Sequence, residues 1–327
     1  MMPINKKTVK NYDLIIIGGA AAGLSAAIYT ARRGLKTLIV SKDLGGQAAI
    51  TAEIENYPGV PLSHGLALMK SFLDQAKSFG ADFVFDEVIS LKPKNKDWGI
   101  KTRKAAFSAQ AVILAHGLTP SNLNVPGEDK LFGHGVQYSP ADNAEVYQGK
   151  TVVVVGGGNS AMESAEALSH VAKKVFIVHR RDQFRAEQIT MVKLKGALNI
   201  EWLTGAEVKK ILGPTKVKSV EIIFKDGGKR VINCQAVFIH IGYSAKNDWL
   251  NGLVALNEKN EVIINEHNET SLAGVFAAGD ATTIGYKQVV ISAGEGAKAG
   301  IRCFQYLQKK LGTGLPALPD WGIKKRK

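Results

Sequence analysis

The feature that most restricts the fold of this chain is a strand, glycine turn and helix pattern that occurs twice. The first copy is YDLIIIGGAAAGLSAAIYTARRGLKTLIV, and the second is KTVVVVGGGNSAMESAEAL followed by KKVFIVHRRDQFR. In both copies an uninterrupted apolar run precedes the glycines, as in a parallel strand buried on both faces. A helical pattern and a further apolar run follow. This order predicts two β-α-β units and therefore an α/β fold with parallel sheets.

The first copy predicts a strand over 14–17, a helix over 24–33 and a second strand over 38–40. The N-terminus of such a helix presents free N–H groups and a positive dipole end to the turn. That arrangement is typical of a site for the pyrophosphate of a dinucleotide.

The fingerprint of this copy departs from G-x-G-x-x-G. Gly18 and Gly23 hold the first and third glycine positions, but Ala20 holds the second, where the backbone approaches the phosphate. The acid expected after the second strand is also missing, because Ser41 and Lys42 stand there. Taken alone, the stretch also fits a glycine-rich turn in another kind of α/β fold.

The second copy predicts a strand over 152–155, a G-x-G-x-x-A turn over 156–161 and a strand over 175–178. Basic residues follow where an NAD site would have an acid: His179, Arg180, Arg181 and Arg185. Guanidinium groups match phosphate geometry in a bidentate manner. The cluster therefore predicts a cofactor with a 2′-phosphate, NADP(H), while a solvated charged loop is the alternative. The other dinucleotide unit is then expected to hold a flavin.

A closing segment, TSLAGVFAAGDATTIGYKQVVISAGEGAKAG, supports that assignment. A short strand over 274–277 leads to Gly279 and Asp280, and a helix is predicted to begin within 288–292. The free N-terminus of this helix would stabilise negative charge on a reduced flavin. The alternative for Asp280 is a buried structural acid after a strand.

Cysteine content excludes several classes of site. The two cysteines, Cys234 and Cys303, cannot form a C-x-x-C dithiol, a cysteine-rich zinc site or a disulfide framework, and no metal site is predicted. Both are expected to be small buried residues. The start MMPINKKTVKNYD lacks the apolar core of a secretory signal, and no apolar run is long enough to span a bilayer. We expect a cytoplasmic protein with no membrane association.

The formal net charge is +13, with basic residues dispersed apart from the KKRK sequence at 324–327. A generally basic solvated surface explains this charge, and nucleic-acid binding is not expected. The alternative is a surface that attracts an acidic electron-transfer protein.

Over nearly its whole length the chain resembles the low-molecular-weight thioredoxin reductases. The matching stretches are GGQ (45–47), IENYPG (54–59), AHG (115–117, usually Ala-Thr-Gly in the family), VPGED, VVVVGGGNSAMESA, VHRRDQFRAEQ, IGYSAKN and GVFAAGD…YKQVV…AGEGAKA. The resemblance implies two Rossmann-like domains: an FAD domain from 1–117 and 246–327, with an NADPH domain, 118–245, inserted between them. It also implies a hinge at the two connections, rotation of the NADPH domain and a homodimer.

The motifs and the resemblance together predict the residues of each cofactor site. The FAD residues are Gly18, Gly19, Ala20, Ala22, Gly23, Gly45, Gly46, Gln47, Asn56, Val88, Gly117, Gly279, Asp280, Lys287, Gln288 and Val289. The NADPH residues are Gly156, Gly158, Asn159, Ser160, Ala161, His179, Arg180, Arg181, Arg185 and Gly242.

The resemblance fails at the redox-active cysteines. In YSPADN, Ser139 and Asp142 stand where the family has its cysteine pair, and Asn143 replaces the neighbouring acid. A hydroxyl and a carboxylate cannot cycle between dithiol and disulfide. Ala22 leaves no lone thiol in the first glycine turn either. We therefore expect the thioredoxin reductase mechanism to be absent.

Three residues are candidates for a place near the flavin, each with a structural alternative. Asp142 is either a carboxylate that tunes the flavin or a loop acid that caps a helix. His116 replaces the threonine that the family has beside the flavin, or is a structural residue. Trp321 either stacks on the flavin, as a C-terminal aromatic does in thioredoxin-reductase-like ferredoxin–NADP reductases, or anchors the tail.

Three functions remain open from the sequence. The first is an NADPH-dependent flavin oxidoreductase that passes electrons directly to a ferredoxin- or flavodoxin-like protein, a quinone or dioxygen. The second is a non-catalytic FAD- and NADPH-binding redox sensor. The third is an atypical reductase that hands electrons from the flavin straight to an external disulfide.

Overall fold

The computed structural model describes residues 10–51, 53–138, 143–250 and 252–312. The elements up to residue 120 are β1 (Lys10–Ile17), α1 (Ala21–Ala31), β2 (Thr37–Ser41), α2 (Gly46–Ala49), α3 (Gly65–Ser78), β3 (Asp82–Phe85), β4 (Val88–Lys94), β5 (Asp97–Thr102), β6 (Ala106–Leu114) and β7 (Thr119–Pro120). Those that follow are α4 (Glu128–Leu131), β8 (Val136–Gln137), β9 (Thr151–Gly156), α5 (Asn159–Ser169), β10 (Lys174–His179), α6 (Gln188–Lys195), β11 (Ile200–Thr204), β12 (Ala206–Leu212), β13 (Ser219–Phe224), β14 (Lys229–Asn233), β15 (Ala236–His240), β16 (Tyr243–Ser244), β17 (Val275–Ala277) and α7 (Val289–Lys310).

The chain divides into two compact units. The first unit combines the residues up to Thr119 with those from Ser244 onward, and the second is Pro120–Tyr243. The boundaries predicted from the sequence, after residues 117 and 245, fall close to these limits. The two connections between the units pair with each other as the short strands β7 and β16.

The first unit is built on a parallel sheet in the order β3-β2-β1-β6. β6 continues the sheet in two ways: its second half pairs with β17 in parallel, and its first half pairs with β5 in antiparallel fashion. β4 then pairs with β5 at the edge. The carboxyl ends of β1, β2, β6 and β17 therefore meet on one side of the sheet, where ligands bind in folds of this kind.

Burial on both faces explains the uninterrupted apolar run of β1. Leu14 and Ile16 belong to a core that includes residues of α1, α3 and α7, while Ile15 and Ile17 belong to the core on the opposite face. Successive side chains of a strand point to opposite faces, so every position of this run is buried.

The second unit repeats this design with a parallel sheet in the order β11-β10-β9-β15-β8. Val152 and Val154 pack in the core with α5, whereas Val153 and Val155 pack in the core with the antiparallel sheet β12-β13-β14. The predicted fold class, α/β with two Rossmann-like units, is confirmed.

Helix limits differ slightly from the sequence prediction. α1 begins at Ala21, directly after the turn, rather than at residue 24, because alanines favour the helix as strongly as the residues that follow. It ends at Ala31 ahead of Gly34, whose φ of 81° is left-handed. In the part of the chain that the structure describes, no helix combines the length and apolarity needed to cross a membrane.

Candidate dinucleotide sites

A cavity of about 830 Å³ opens at the carboxyl ends of β1, β2 and β6 in the first unit. Its volume lies within the range of about 300–1,000 Å³ that is usual for cofactor sites. The predicted FAD residues that line it are Gly18, Gly19, Ala20, Ala22, Gly45, Gly46, Gln47, Asn56, Val88, Gly117, Gly279, Asp280, Lys287, Gln288 and Val289. Gly23 instead packs under the turn, where a Cβ would lie 1.9 Å from the carbonyl oxygen of Gly18.

Glycine is required at two positions of the cavity wall. Gly18 has φ of 118°, and a Cβ on it would lie 2.1 Å from the carbonyl oxygen of Ala115. Gly279 has φ of 77°, and its Cβ would lie 2.8 Å from the Cβ of Ala22. Side chains at these points would separate the strands and α1, so the glycines keep the backbone close around the cavity.

Two helix N-termini face this cavity. Residues of the first turns of α1 and α7 line it, and neither turn contains an acid. Ala20 and Gln288, which precede the two helices, form no side-chain cap with the described residues. The N–H groups and positive dipole ends are therefore left for an anionic ligand. These features fit the diphosphate of FAD.

The segment after β17 is braced by hydrogen bonds. Ser292 Oγ donates to Asp280 Oδ1 over 2.8 Å and so orients the carboxylate. Lys287 Nζ donates to the carbonyl oxygens of Asp280 and Thr282, 2.9 and 2.6 Å away, and lies 3.1 Å from a carboxylate oxygen of Glu261. Lys287 thus holds the shape of the cavity wall, a role that the sequence did not indicate.

In place of the missing acid after β2, the structure has a hydrogen bond at Ser41 and an ion pair at Lys42, which no motif in the sequence indicated. The N–H of Gly19 donates to Ser41 Oγ over 2.9 Å. Lys42 forms an ion pair with Glu87, which also pairs with Arg103. The hydrogen bond from Lys42 lowers the pKa of Glu87, aided by Arg103 and opposed by burial. Ser41, Lys42 and Glu87 all line the cavity.

His116 also lines this cavity and is fixed by a segment far away in sequence. Its Nε2 lies 2.6 Å from Oδ1 of Asn247, and the Asn247 amide nitrogen donates to the carbonyl oxygen of Asn260. Nε2 therefore carries the ring proton. Burial lowers the pKa of His116, so the ring is neutral. Trp249, whose ring centroid lies 5.5 Å away, lines the cavity too and was missed because it lies two residues beyond the end of the IGYSAKN motif.

In the second unit, the glycine turn lies between β9 and α5. Gly156 has φ of 149°, and a Cβ on it would lie 2.2 Å from the carbonyl oxygen of His240. Gly158 precedes α5 and provides no side-chain cap, which leaves the N–H groups of Asn159 and Ser160 for a ligand. The N–H of Ala161 donates to the carbonyl oxygen of Gly158 over 3.1 Å. Asn159 is also tied to Glu187, whose N–H donates to Asn159 Oδ1 over 2.9 Å.

The predicted cationic cluster after β10 divides into a buried histidine and exposed arginines. The His179 ring is buried, stacks on Phe184 at 4.9 Å and places Nε2 3.1 Å from the carbonyl oxygen of Gln183. Burial, followed by the nearby arginines, lowers its pKa, and the hydrogen bond to Gln183 opposes this. A neutral ring here packs against Gly157, where a Cβ would lie 2.3 Å away.

The arginines of this cluster are arranged differently. Arg180, Arg181 and Arg185 are exposed, and the N–H of Arg185 donates to the carbonyl oxygen of Gly157 over 2.7 Å. This bond holds the arginine segment beside the glycine turn. Gly242, after β15, is exposed with φ of 104°. The exposed guanidinium groups and the uncapped α5 N-terminus fit a dinucleotide with an additional phosphate.

The remaining predicted candidates fall elsewhere. Ser139, Asp142 and Trp321 lie outside the described residues. Cys303 is buried in the α1–α7 core of the first unit, and Cys234 is buried in a core of the second. Burial raises the pKa of Cys234 to about 12 and raises that of Cys303 as well. Neither thiol is among the described residues that line the cavity.

Comparison with known proteins identifies the family. A sequence profile of the family described as pyridine nucleotide-disulphide oxidoreductase matches residues 12–296. The chain is 35% identical to the thioredoxin reductase of Peptoclostridium acidaminophilum over 91% of its own length and 97% of that protein. It is 34% identical to the NADH dehydrogenase of Bacillus subtilis over 90% of this chain, but it spans only 58% of the length of that relative.

A solved structure agrees with these sequence matches. The thioredoxin reductase of Lactococcus lactis superposes with a TM-score of 0.80 and 30% sequence identity, and the alignment covers 91% of this chain and 99% of that one. The chain therefore belongs to the pyridine nucleotide-disulphide oxidoreductase family, and its cofactors are FAD and NAD(P)H.

Proposed function

We propose that this chain takes hydride from NADPH onto FAD and passes the electrons to an acceptor other than a cysteine pair of its own. The observation that carries the proposal is the location of its thiols. The two cysteines of the sequence are buried in the cores of separate units, while the dinucleotide features of both units are retained. A dithiol relay needs two neighbouring, accessible sulfurs.

The first unit is the proposed FAD site. The chemistry that bound FAD supplies is acceptance of a hydride and release of electrons singly or in pairs. The turn from Gly18 to Ala22 and the N-termini of α1 and α7 bind the diphosphate. Asp280, whose carboxylate Ser292 orients, would hold the ribityl chain. The half-buried His116 and Trp249 exclude water from their part of the cavity.

The second unit is the proposed NADPH site. The α5 N-terminus binds the diphosphate, and the exposed Arg180, Arg181 and Arg185 bind the 2′-phosphate. Charge on the arginines is permanent at physiological pH, whereas the buried His179 contributes packing. We therefore expect NADPH to be preferred over NADH.

The acceptor class follows from charge. The net charge of +13 favours an acidic iron–sulfur or flavin protein over quinone or dioxygen. Electron transfer to such a protein should slow as salt screens the attraction, with a Debye length of about 10 Å at 0.1 M. A rate with ferredoxin that is absent or insensitive to salt would count against this acceptor.

A disulfide reductase is the second candidate, and the thioredoxin reductases among the relatives favour it. In this version the two electrons and two protons needed to cleave an external disulfide come from the reduced flavin and solvent, without a thiol of this chain. NADPH-dependent release of thiol by the Cys234→Ala/Cys303→Ala variant would support it. The absence of turnover with every disulfide offered would remove it.

The deciding experiment is an anaerobic titration of the purified protein with NADPH, and with NADH in parallel, while flavin absorbance is recorded. Stoichiometric bleaching by NADPH, with NADH less effective, is expected. Failure to bleach while NADPH binding is shown separately would overturn the proposal in favour of a redox sensor. Light scattering on the same sample tests the homodimer that the resemblance implies.

A further inference from the structure

His240 lies beside the glycine turn of the second unit but belongs to none of the predicted motifs. It ends β15, where it is paired in register with Gly156 of β9. In the sheet order, β9 has β10 on one side and β15 on the other. α5 connects β9 to β10 on one side, whereas β15 is added in parallel on the other side, so the order of the strands reverses between β9 and β15. Dinucleotides bind outside the carboxyl ends of the strands at such a switch point.

Strand alternation sets the face on which the imidazole lies. Phe238 packs in the core with α5, whereas Val237 and Ile239 pack in the core on the other face. His240 is two residues beyond Phe238 and therefore lies on the α5 face. That is the face on which the uncapped N-terminus of α5 begins.

The ring has an unsatisfied nitrogen. His240 is partly buried, and its Nε2 is fully buried without a hydrogen-bond partner among the described residues. Burial lowers the pKa of His240 to about 4, so the ring is neutral near pH 7. A buried polar atom left without a partner is costly, and such atoms are rare unless a ligand or water completes them.

We propose that His240 positions the nicotinamide riboside half of NADPH by a hydrogen bond from its imidazole to the ribose or the carboxamide. This inference rests on the proposed NADPH site of the second unit. The arginines after β10 place the adenosine half on one side of β9, and α5 takes the diphosphate. The other half of the dinucleotide then extends over the end of β15, where His240 lies.

Two ligands serve as probes that distinguish binding of the nicotinamide half of NADPH from binding of the adenosine half. NADP⁺ contains the nicotinamide riboside, whereas adenosine 2′,5′-bisphosphate lacks it but keeps the 2′-phosphate. Calorimetric titration of the FAD-loaded protein with each probe is the experiment. We expect His240→Ala to weaken NADP⁺ binding about 3- to 10-fold, the usual value of one neutral hydrogen bond, and to leave the bisphosphate unchanged. His240→Gln should restore part of the affinity.

The controls show whether a negative result comes from misfolding, from the absence of the proposed NADPH site or from the lack of a role for His240. Unchanged bisphosphate binding shows that the variant is folded, and His170→Ala, at an exposed histidine after α5, should bind both probes like the wild type. If the wild type binds neither probe, the proposed NADPH site itself is wrong. If the wild type binds both and His240→Ala keeps full NADP⁺ affinity, or loses both probes equally, His240 does not position the nicotinamide half.

Discussion

At the scale of single residues, burial decides which of the basic groups after β10 can carry charge to a ligand. His179 is buried against Phe184 and Gly157 and has a lowered pKa, whereas the arginines beside it are exposed. Four neighbouring basic residues in the sequence therefore divide into a neutral packing residue and a group of permanent cations. Only the latter can discriminate a phosphate by charge.

The arginines are expected to set the choice of nicotinamide cofactor. The double variant Arg180→Ala/Arg181→Ala should weaken NADPH binding by at least about tenfold, because each lost charged hydrogen bond costs about 1.5–3 kcal/mol. NADH binding should not change, since it lacks the 2′-phosphate. Stopped-flow measurement of flavin reduction across concentrations of both nucleotides gives the two affinities.

The matched control for this pair is Lys216→Ala, which removes an exposed cation from the turn between β12 and β13. It should bind both nucleotides as the wild type does. An equal loss of NADPH and NADH binding in the double variant would show that the arginines act on the shared diphosphate instead.

At the scale of elements, the cavity depends on how closely α7 packs on α1. A Cβ on Gly296 would lie 2.0 Å from the carbonyl oxygen of Ala22, and one on Gly300 would lie 3.0 Å from that of Ala26. Glycines one turn apart thus allow the two helix backbones to touch. Since the first turns of both helices line the cavity, their separation controls its width.

Gly296→Ala should destabilise the first unit and weaken FAD retention. The added methyl has no room against the backbone of α1, and overpacking of this kind costs about 1–3 kcal/mol. Urea unfolding followed by circular dichroism, together with the ratio of flavin to protein after gel filtration, measures both effects.

Gly294 is the control in the same helix. It is exposed, and a Cβ on it would meet no described atom within 4 Å apart from the nearby backbone of its own helix. Gly294→Ala should therefore stabilise α7 by about 0.5–1 kcal/mol through helix propensity. Equal stability and equal flavin retention in Gly296→Ala and Gly294→Ala would show that the FAD site does not depend on close packing of α1 and α7.

At the scale of the whole molecule, histidines whose pKa values are lowered by full or partial burial link folding stability to pH. The pKa values of His116, His179 and His240 all lie below the ordinary value of 6.5. In the unfolded chain these rings take up protons below about pH 6.5, but in the folded chain they do so only at lower pH. Folding stability should therefore fall as the pH decreases from 7 to 5.

His240 should contribute about 2 kcal/mol of this loss, given its pKa of about 4. Paired carboxylates such as Glu87, with a pKa below its ordinary value of 4.5, lose their stabilisation only at lower pH. Urea midpoints at pH 7 and pH 5 test this prediction. His240→Gln should reduce the loss of folding stability between pH 7 and pH 5, and His170→Gln should leave it unchanged. An unchanged pH dependence of stability in His240→Gln would show that His240 does not contribute to it.

Thiol accessibility is a second property of the whole molecule. Because both cysteines are buried and have raised pKa values, the native protein should react negligibly with Ellman's reagent, whereas the denatured protein should release two equivalents. NADPH should not change the native result. Appearance of two reactive thiols on reduction with NADPH would contradict a mechanism without a dithiol in this chain.

Much of the fold was predictable because its signals are local. The apolar runs of β1 and β9, the glycine turns after them and the helix that follows each turn lie within a few residues of one another. The strand alternation that buries both faces and the left-handed conformation at Gly18 are properties of neighbouring residues. The cavity residues that belong to these motifs could be named for the same reason.

The sequence by itself thus determined the two strand–turn–helix units, the arginines after β10 and the lack of a cysteine pair. Tertiary structure alone decided which distant side chains meet: His116 with Asn247, 131 residues away, and Lys42 and Arg103 with Glu87. It also decided that His179 is buried, that His240 is partly buried, and that both rings are neutral. Contacts between segments far apart in the chain, and the pKa shifts that burial causes, depend on how the elements pack, which no local pattern encodes.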